Sequence, residues 1–245
     1  MTFPVEIGFG AIRINAHLVF EILAFMIGYR YFVFLRKGVQ DPISSQNRVW
    51  IIIGAALGAF LGSRLLGALE HPQAWLSAAH PFFYFFANKT IVGALLGGLF
   101  GVEMCKKLIG ESESSGDLFT FPLILGMMIG RIGCFLNGVY EQTYGLPTAS
   151  PFGMDLGDGM SRHPVALYEI GFLVLLWLGL RWVKKRHELS SGQLFQLFMV
   201  SYLLFRFGLD FIKPGYRFLF GLGSIQIACL IGLGYYWRVL ISWFR

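Results

Sequence analysis

Long apolar runs alternate with short polar breaks along this chain. The runs cover roughly 17–35, 50–69, 91–105, 118–136, 165–183, 194–212 and 219–240. Most are about twenty residues long, the length a helix needs to cross a bilayer. None shows the strict apolar–polar alternation of a lipid-facing barrel strand. The pattern predicts an all-α integral membrane protein with about seven transmembrane helices. The third run is short and rich in glycine (Gly93, Gly97, Gly98, Gly101), so it is either re-entrant or packed tightly on a neighbour. The sixth and seventh are joined by Lys213-Pro214-Gly215-Tyr216-Arg217, a tight turn. There is no internal repeat, no low-complexity segment and no linker. A single transmembrane domain over 1–245 is expected.

Composition agrees. Of 245 residues 56% are hydrophobic and 14% charged, against about 25% charged in soluble domains, and the mean hydropathy is +0.62. No small-residue cleavage site follows the first run, which is read as a retained helix. Cys105, Cys134 and Cys229 form no spaced pair, so neither a disulfide framework nor a zinc site is expected. The net charge of +6 does not require nucleic acid, because basic loops set membrane orientation. With the N-terminus outside, the inner side collects Arg36, Lys37, Arg48, Lys106, Lys107, Arg181, Lys184, Lys185, Arg186, Arg238 and Arg245. The outer side has Arg13, Lys89, Arg162, Lys213 and Arg217. This bias predicts an outer N-terminus and a cytoplasmic C-terminus. It also puts the longest connection, 137–164, on the outer face as a partly ordered cover over a site.

The candidate chemistry begins at Gly130-Arg131-Ile132-Gly133-Cys134-Phe135-Leu136-Asn137-Gly138, which closes the fourth run. An arginine in such a run is costly and normally faces a polar cavity or a partner. The functional reading is an anion site at the membrane surface; the plain alternative is a snorkelling side chain. Arg64 lies near the outer end of the second run. Tyr202, Arg206 and Asp210 are spaced i, i+4, i+8 and share one helix face. Three arginines at similar depth would make a cationic cup, and guanidinium matches phosphate in a bidentate geometry. A phospholipid headgroup is the obvious anion there. Each has a plain reading too. Arg206 and Asp210 would simply pair, Arg64 would snorkel, and His163, Glu169, His17 and Glu21 would be structural polar groups.

These segments resemble a known family. The Gly130–Gly138 stretch, the following Gly145-Leu146-Pro147-Thr148, the run Arg162-His163-Pro164-Val165-Ala166-Leu167-Tyr168-Glu169 and the Tyr202/Arg206/Asp210 face are similar to the signature of the bacterial prolipoprotein diacylglyceryl transferases. Gly62-Ser63-Arg64-Leu65 and Val92-Gly93-Ala94-Leu95-Leu96-Gly97 match weaker family segments. The resemblance implies seven membrane helices in the bacterial cytoplasmic (inner) membrane. It implies transfer of the diacylglyceryl group of phosphatidylglycerol to the lipobox cysteine thiol of a preprolipoprotein signal peptide, forming a thioether and releasing glycerol phosphate. Membrane lipid and that signal peptide are then the partners; no nucleic acid, cofactor or metal is implied. Arg131 and Arg206 match family arginines assigned to the headgroup and the leaving phosphate. Asn137, Gly145, Tyr202 and Asp210 match signature positions, with Asp210 a shortened glutamate. Glu141 matches the signature glutamate loosely, because the loop before Gly145 is longer here.

Three further features depart from the family pattern. Val92 replaces the histidine of a His-Gly-Gly motif, Cys134 replaces an asparagine, and Ala16-His17 replaces a Trp-Tyr pair. The acceptor thiol must lose its proton and the departing phosphate must have its charge stabilised. Arg131 and Arg206 are therefore expected to bind phosphate with support from Arg64, and His17 or His163 to stand in as base. The alternative is a non-catalytic or differently specific phospholipid-binding or transport paralogue.

Overall fold

The computed structural model describes residues 2–9 and 12–242. Arg245, one of the charges the loop count assigns to the inner side, lies outside the described residues. The protein is an all-α integral membrane protein with two minor hairpins. In chain order come β1 (Glu6–Phe9), β2 (Ile12–Asn15), α1 (Ala16–Lys37), α2 (Ser45–Ala68), α3 (Pro72–Leu76), α4 (Pro81–Ala87) and α5 (Ile91–Ile109). Then follow α6 (Asp117–Asn137), β3 (Met154–Asp155), β4 (Ser161–Arg162), α7 (Val165–Arg186), α8 (Gln193–Leu209), α9 (Ser224–Tyr235) and α10 (Trp237–Ser242).

Among the described residues five helical stretches are long and apolar enough to cross a membrane: Ala16–Lys37, Ser45–Ala68, Asp117–Tyr140, Val165–Arg186 and Gln193–Ile212. A sixth counts if α4 and α5, which meet at a 90° bend, are taken as one span. The last apolar run is divided. Gly221 adopts φ +70°, a left-handed conformation that suits glycine, and α9 begins only at Ser224. The short helices α3 and α4 lie between runs and were not foreseen; each opens with a proline at its first turn, where the missing N–H is no loss.

The chain divides into two compact units, each drawn from separate stretches of sequence: 1–40 with 115–198 and 211–214, and 41–114 with 199–210 and 215–245. In the first unit α6 packs on both α1 and α7. Phe32 stacks on Phe119 at 4.3 Å and Phe121 meets Trp177 at 4.9 Å. The close α1–α6 approach depends on Gly133, where a Cβ would stand 2.9 Å from the Phe20 Cβ and 3.2 Å from the His17 carbonyl. Asp117 at the head of α6 accepts the backbone N–H groups of Gly192 (2.7 Å) and Phe195 (3.0 Å). It thereby caps the start of α8. The 137–164 connection is ordered. Thr148 N–H donates to the Ser161 carbonyl at 2.8 Å, His163 N–H to Leu146 at 3.1 Å, and Val139 N–H to Leu156 at 3.1 Å.

In the second unit α2 and α5 meet along glycines. Gly54, Gly58 and Gly62 on α2 face Gly101, Gly97 and Gly93 on α5. A methyl group at Gly58 would overlap the Gly97 carbonyl, and one at Gly54 would lie 2.8 Å from that of Gly101. Two helices with glycine every fourth residue can bring their backbones together this way. The glycine-rich third run is thus a packing seam. Thr90 caps α5 by accepting the Gly93 N–H at 3.1 Å, and Lys106 and Lys107 occupy its last turn, where cations suit the helix dipole. Arg48 and Asp41 form a buried ion pair at the start of α2.

Candidate active site

A string of polar side chains in the first unit runs from the end of α6 to the starts of α1 and α7. Arg131 is 7% exposed at its side chain and Glu169 is 1% exposed; Arg131 Nε is 2.9 Å from Glu169 Oε1. A charge buried in an apolar bundle is costly unless it is paired, and Glu169, in the first turns of α7, supplies the counter-charge. On the same guanidinium, NH1 lies 3.6 Å from Cys134 Sγ.

Cys134 is one turn beyond Arg131, and its sulfur is 3.8 Å from His17 Nε2. Gly133 allows this, since it lets the first turn of α1 sit against α6. His17 Nε2 is in turn 3.9 Å from Glu141 Oε2. Asn137 Nδ2 donates to the same carboxylate oxygen at 3.5 Å. Asn15 completes the string. Its side-chain oxygen accepts the His17 N–H at 2.8 Å, capping α1, and its amide donates to Asn137 Oδ1 at 2.9 Å. The N-terminal hairpin fixes Asn15, opposite Glu6. The strand is tied down by Val5, which donates to the Leu136 carbonyl and accepts from Ala16, both at 2.9 Å.

Exposure rises along the string, from Glu169 (1%) and Arg131 (7%) to His17 (14%) and Glu141 (24%). The cluster is closed at its arginine–glutamate end and opens at Glu141. Gly138 turns the chain sharply at that point with φ +61°, and a Cβ there would overlap the Leu156 carbonyl. The signature glycine after Asn137 is therefore required by backbone conformation.

His163 and Gly145 sit together elsewhere in the first unit. Gly145 N–H donates to the His163 carbonyl at 3.1 Å, and a Cβ on Gly145 would lie 2.7 Å from that carbonyl. His163 Nδ1 is 3.2 Å from the Tyr168 hydroxyl. Arg162 spans this loop, reaching Asp158 at 2.8 Å and lying over the Tyr144 ring.

The other predicted residues belong to the second unit. Tyr202 and Arg206 are buried one turn apart on α8, and Asp210 is buried just beyond its end. Arg206 NH2 and Asp210 Oδ1 are 3.9 Å apart, a loose version of the expected i, i+4 pair. Asp210 Oδ2 is also 3.5 Å from Arg217 NH1. Arg64 donates to the Asn88 carbonyl at 3.3 Å and lies over the Phe60 ring. Val92 is fully buried at the start of α5.

The sequence missed the partners. Glu169 passed as a structural polar group, although a carboxylate opening an apolar run is itself a signal that a cation must face it. Asn15 gives no signal in the sequence, and Arg217 reads there only as a loop charge.

The string thus holds a buried arginine with its counter-ion at one end and a more exposed imidazole and carboxylate at the other. Residues 4–244 match the sequence family described as prolipoprotein diacylglyceryl transferase. The chain belongs to this family, and it is a multi-pass membrane transferase of lipoprotein biosynthesis. It is 29% identical over 229 residues to the phosphatidylglycerol–prolipoprotein diacylglyceryl transferase of Bordetella parapertussis, covering 88% of this chain and 84% of that protein. The Campylobacter lari protein of the same name is 30% identical over 225 residues (86% and 78% covered). That of Nitratidesulfovibrio vulgaris strain Miyazaki F is 30% identical over 242 residues (93% and 88%).

Proposed function

We propose that the chain carries out its relatives' reaction with a rebuilt base. Phosphatidylglycerol is the donor and the lipobox cysteine of a prolipoprotein is the acceptor, in the inner membrane of a bacterium. The acceptor sulfur attacks the glyceryl carbon that carries the phosphate. A carbon–sulfur bond forms, the carbon–oxygen bond to phosphate breaks, and glycerol phosphate departs with the bonding electrons.

Arg131 stabilises the charge that develops on the departing phosphate. Donors fixed before the reaction need no reorganisation as that charge appears, and Glu169 fixes this one at 2.9 Å. His17 accepts the thiol proton. Glu141 orients the imidazole, and Asn137 and Asn15 hold Glu141 and the first turn of α1 in place. In the second unit Arg206, with Tyr202 and Asp210 on its face, handles the lipid headgroup, and Arg64 lends further positive charge. Gly145 and His163 shape the loop before α7.

The observation that carries this reading is the approach of both Arg131 and His17 to the Cys134 sulfur, at 3.6 and 3.8 Å. It favours His17 over His163 as the base, because the His163 ring contacts Tyr168. Two of the family's missing features, the asparagine replaced by Cys134 and the aromatic pair replaced by Ala16-His17, fall at this one contact, as a compensated site would require.

The test is complementation of a bacterial strain depleted of its own transferase, with mass spectrometry of lipoprotein N-termini. Diacylglyceryl thioether on the lipobox cysteine supports the reading. Growth failure with unmodified prolipoprotein, despite normal membrane insertion, would instead mark a lipid-binding paralogue without transfer.

A further inference from the structure

Asp210 stands between two guanidinium groups of the second unit. Arg206 NH2 is 3.9 Å from its Oδ1 and Arg217 NH1 is 3.5 Å from its Oδ2. Both separations exceed the ~2.7–2.9 Å of a tight charge-assisted bond. Arg217 is nonetheless firmly held, by neutral acceptors. Its NH2 donates to the Asp210 backbone carbonyl and its NH1 to Gln226 Oε1, both at 2.8 Å. Gln226 is fully buried near the start of α9. It also accepts the Gly223 N–H at 2.9 Å and donates to the Phe207 carbonyl at 3.3 Å. A Cβ on Gly223 would stand 3.1 Å from Asp210 Oδ2 and 3.3 Å from Arg217 NH1, so this glycine makes room for the pair.

The two cations differ in exposure. The Arg206 side chain is 4% exposed and that of Arg217 is 30% exposed. Asp210 thus has a buried partner and an open one. The open one is anchored independently of the carboxylate it serves.

We propose that Arg217 is a positioning residue for Arg206. It shares the Asp210 carboxylate, keeps it from closing onto Arg206, and so leaves the Arg206 guanidinium able to accept an anionic phosphate. The inference rests on the assignment of Arg206 to the lipid headgroup. When an anion reaches Arg206, Asp210 moves toward Arg217, whose place is already set by Gln226 and a backbone carbonyl. No buried charge is stranded by the exchange. Without Arg217, Asp210 pairs with Arg206 alone and competes with the phosphate.

The test uses the purified full-length protein in detergent micelles, with phosphatidylglycerol at varied mole fraction and a synthetic lipobox peptide. Initial transfer rates are compared for wild type, Arg217→Gln, Asp210→Asn and the double variant. The expected result is an apparent KM for phosphatidylglycerol about tenfold higher in Arg217→Gln with kcat changed less than about threefold. In the Asp210→Asn background the same change moves KM less than about twofold, because the competing charge is gone. An unchanged KM in Arg217→Gln overturns the proposal. So does an equal penalty in both backgrounds, the mark of a structural role. Should Arg217→Gln fail to fold, Arg217→Lys decides: a retained cation keeps KM within about threefold, and a tenfold rise overturns the proposal. Full transfer by Arg206→Ala would instead overturn the assignment of Arg206 itself.

Discussion

The sulfur of Cys134 lies 3.8 Å from Nε2 of His17, across the α1–α6 crossing that Gly133 keeps close. This contact joins two positions that a family comparison treats as separate departures. It also places an imidazole beside the sulfur that NH1 of Arg131 approaches to 3.6 Å.

If His17 takes the acceptor's proton, His17→Ala should lower transfer by about two to four orders of magnitude, the usual share of general base catalysis. The fold should survive, because His17 is partly exposed and its cap, Asn15, stays in place. Added imidazole should restore part of the rate. The measurement is single-turnover transfer to a lipobox peptide with and without imidazole. A His17→Ala enzyme at wild-type rate would show that the base is elsewhere.

Glu169 should matter for stability and activity alike. Glu169→Gln removes the charge facing Arg131 Nε at 2.9 Å, and breaking one side of a buried ion pair costs about 3–5 kcal/mol. Thermal unfolding in detergent should show the drop, and transfer should fall with it. An unchanged melting temperature would mean that another group already neutralises Arg131.

The α2–α5 seam makes a sharper structural prediction. Gly58→Val or Gly97→Val should force the helices apart, because even a methyl group would overlap the opposing carbonyl. Overpacking of this kind costs about 1–3 kcal/mol or more. The same change at Gly130, where nothing lies within 4 Å, should be much milder. Comparing melting temperatures of the two classes tests the seam.

The 137–164 loop carries a pH-sensitive turn. Asp155 accepts the N–H groups of Gly157 (2.9 Å) and Gly159 (3.0 Å), and these bonds hold its carboxyl below the usual carboxylate range. A depressed folded-state value means the turn is favoured above the unfolded value and loses support as pH falls through the folded one. Amide exchange at Gly157 and Gly159 should therefore speed up, beyond its intrinsic pH trend, only at strongly acidic pH. Asp155→Ala, which removes the acceptor oxygen, should show fast exchange at neutral pH as well.

Much of this architecture was legible in the sequence, for physical reasons. Apolar runs of bilayer length announce helices, and α1, α2, α6, α7 and α8 follow them closely. The glycines of α5 left a re-entrant segment and close packing both open, and did not tell which helix would face them. The N-terminal hairpin and the aromatic helices α3 and α4 were not legible, because each is too short for a period to emerge. At the site, spacing showed the Tyr202–Arg206–Asp210 face, since a helix repeat relates those positions. It did not show Arg131 with Glu169, or Asp210 with Arg217. Those partners come from different elements, and only packing brings them together. His17 could be singled out as a polar residue opening an apolar helix, but its place beside Cys134 depends on the α1–α6 crossing.

The most direct test is the rate of transfer of radiolabelled diacylglyceryl from phosphatidylglycerol to a lipobox peptide by Arg131→Ala and Arg131→Lys enzymes, at equal amounts of folded protein. Loss of a preorganised donor to the departing phosphate should reduce the rate by about a hundredfold or more in Arg131→Ala. Arg131→Lys should recover only part of it, since a lysine cannot meet Glu169 and a phosphate through one planar fork. Wild-type transfer by Arg131→Ala would contradict the account.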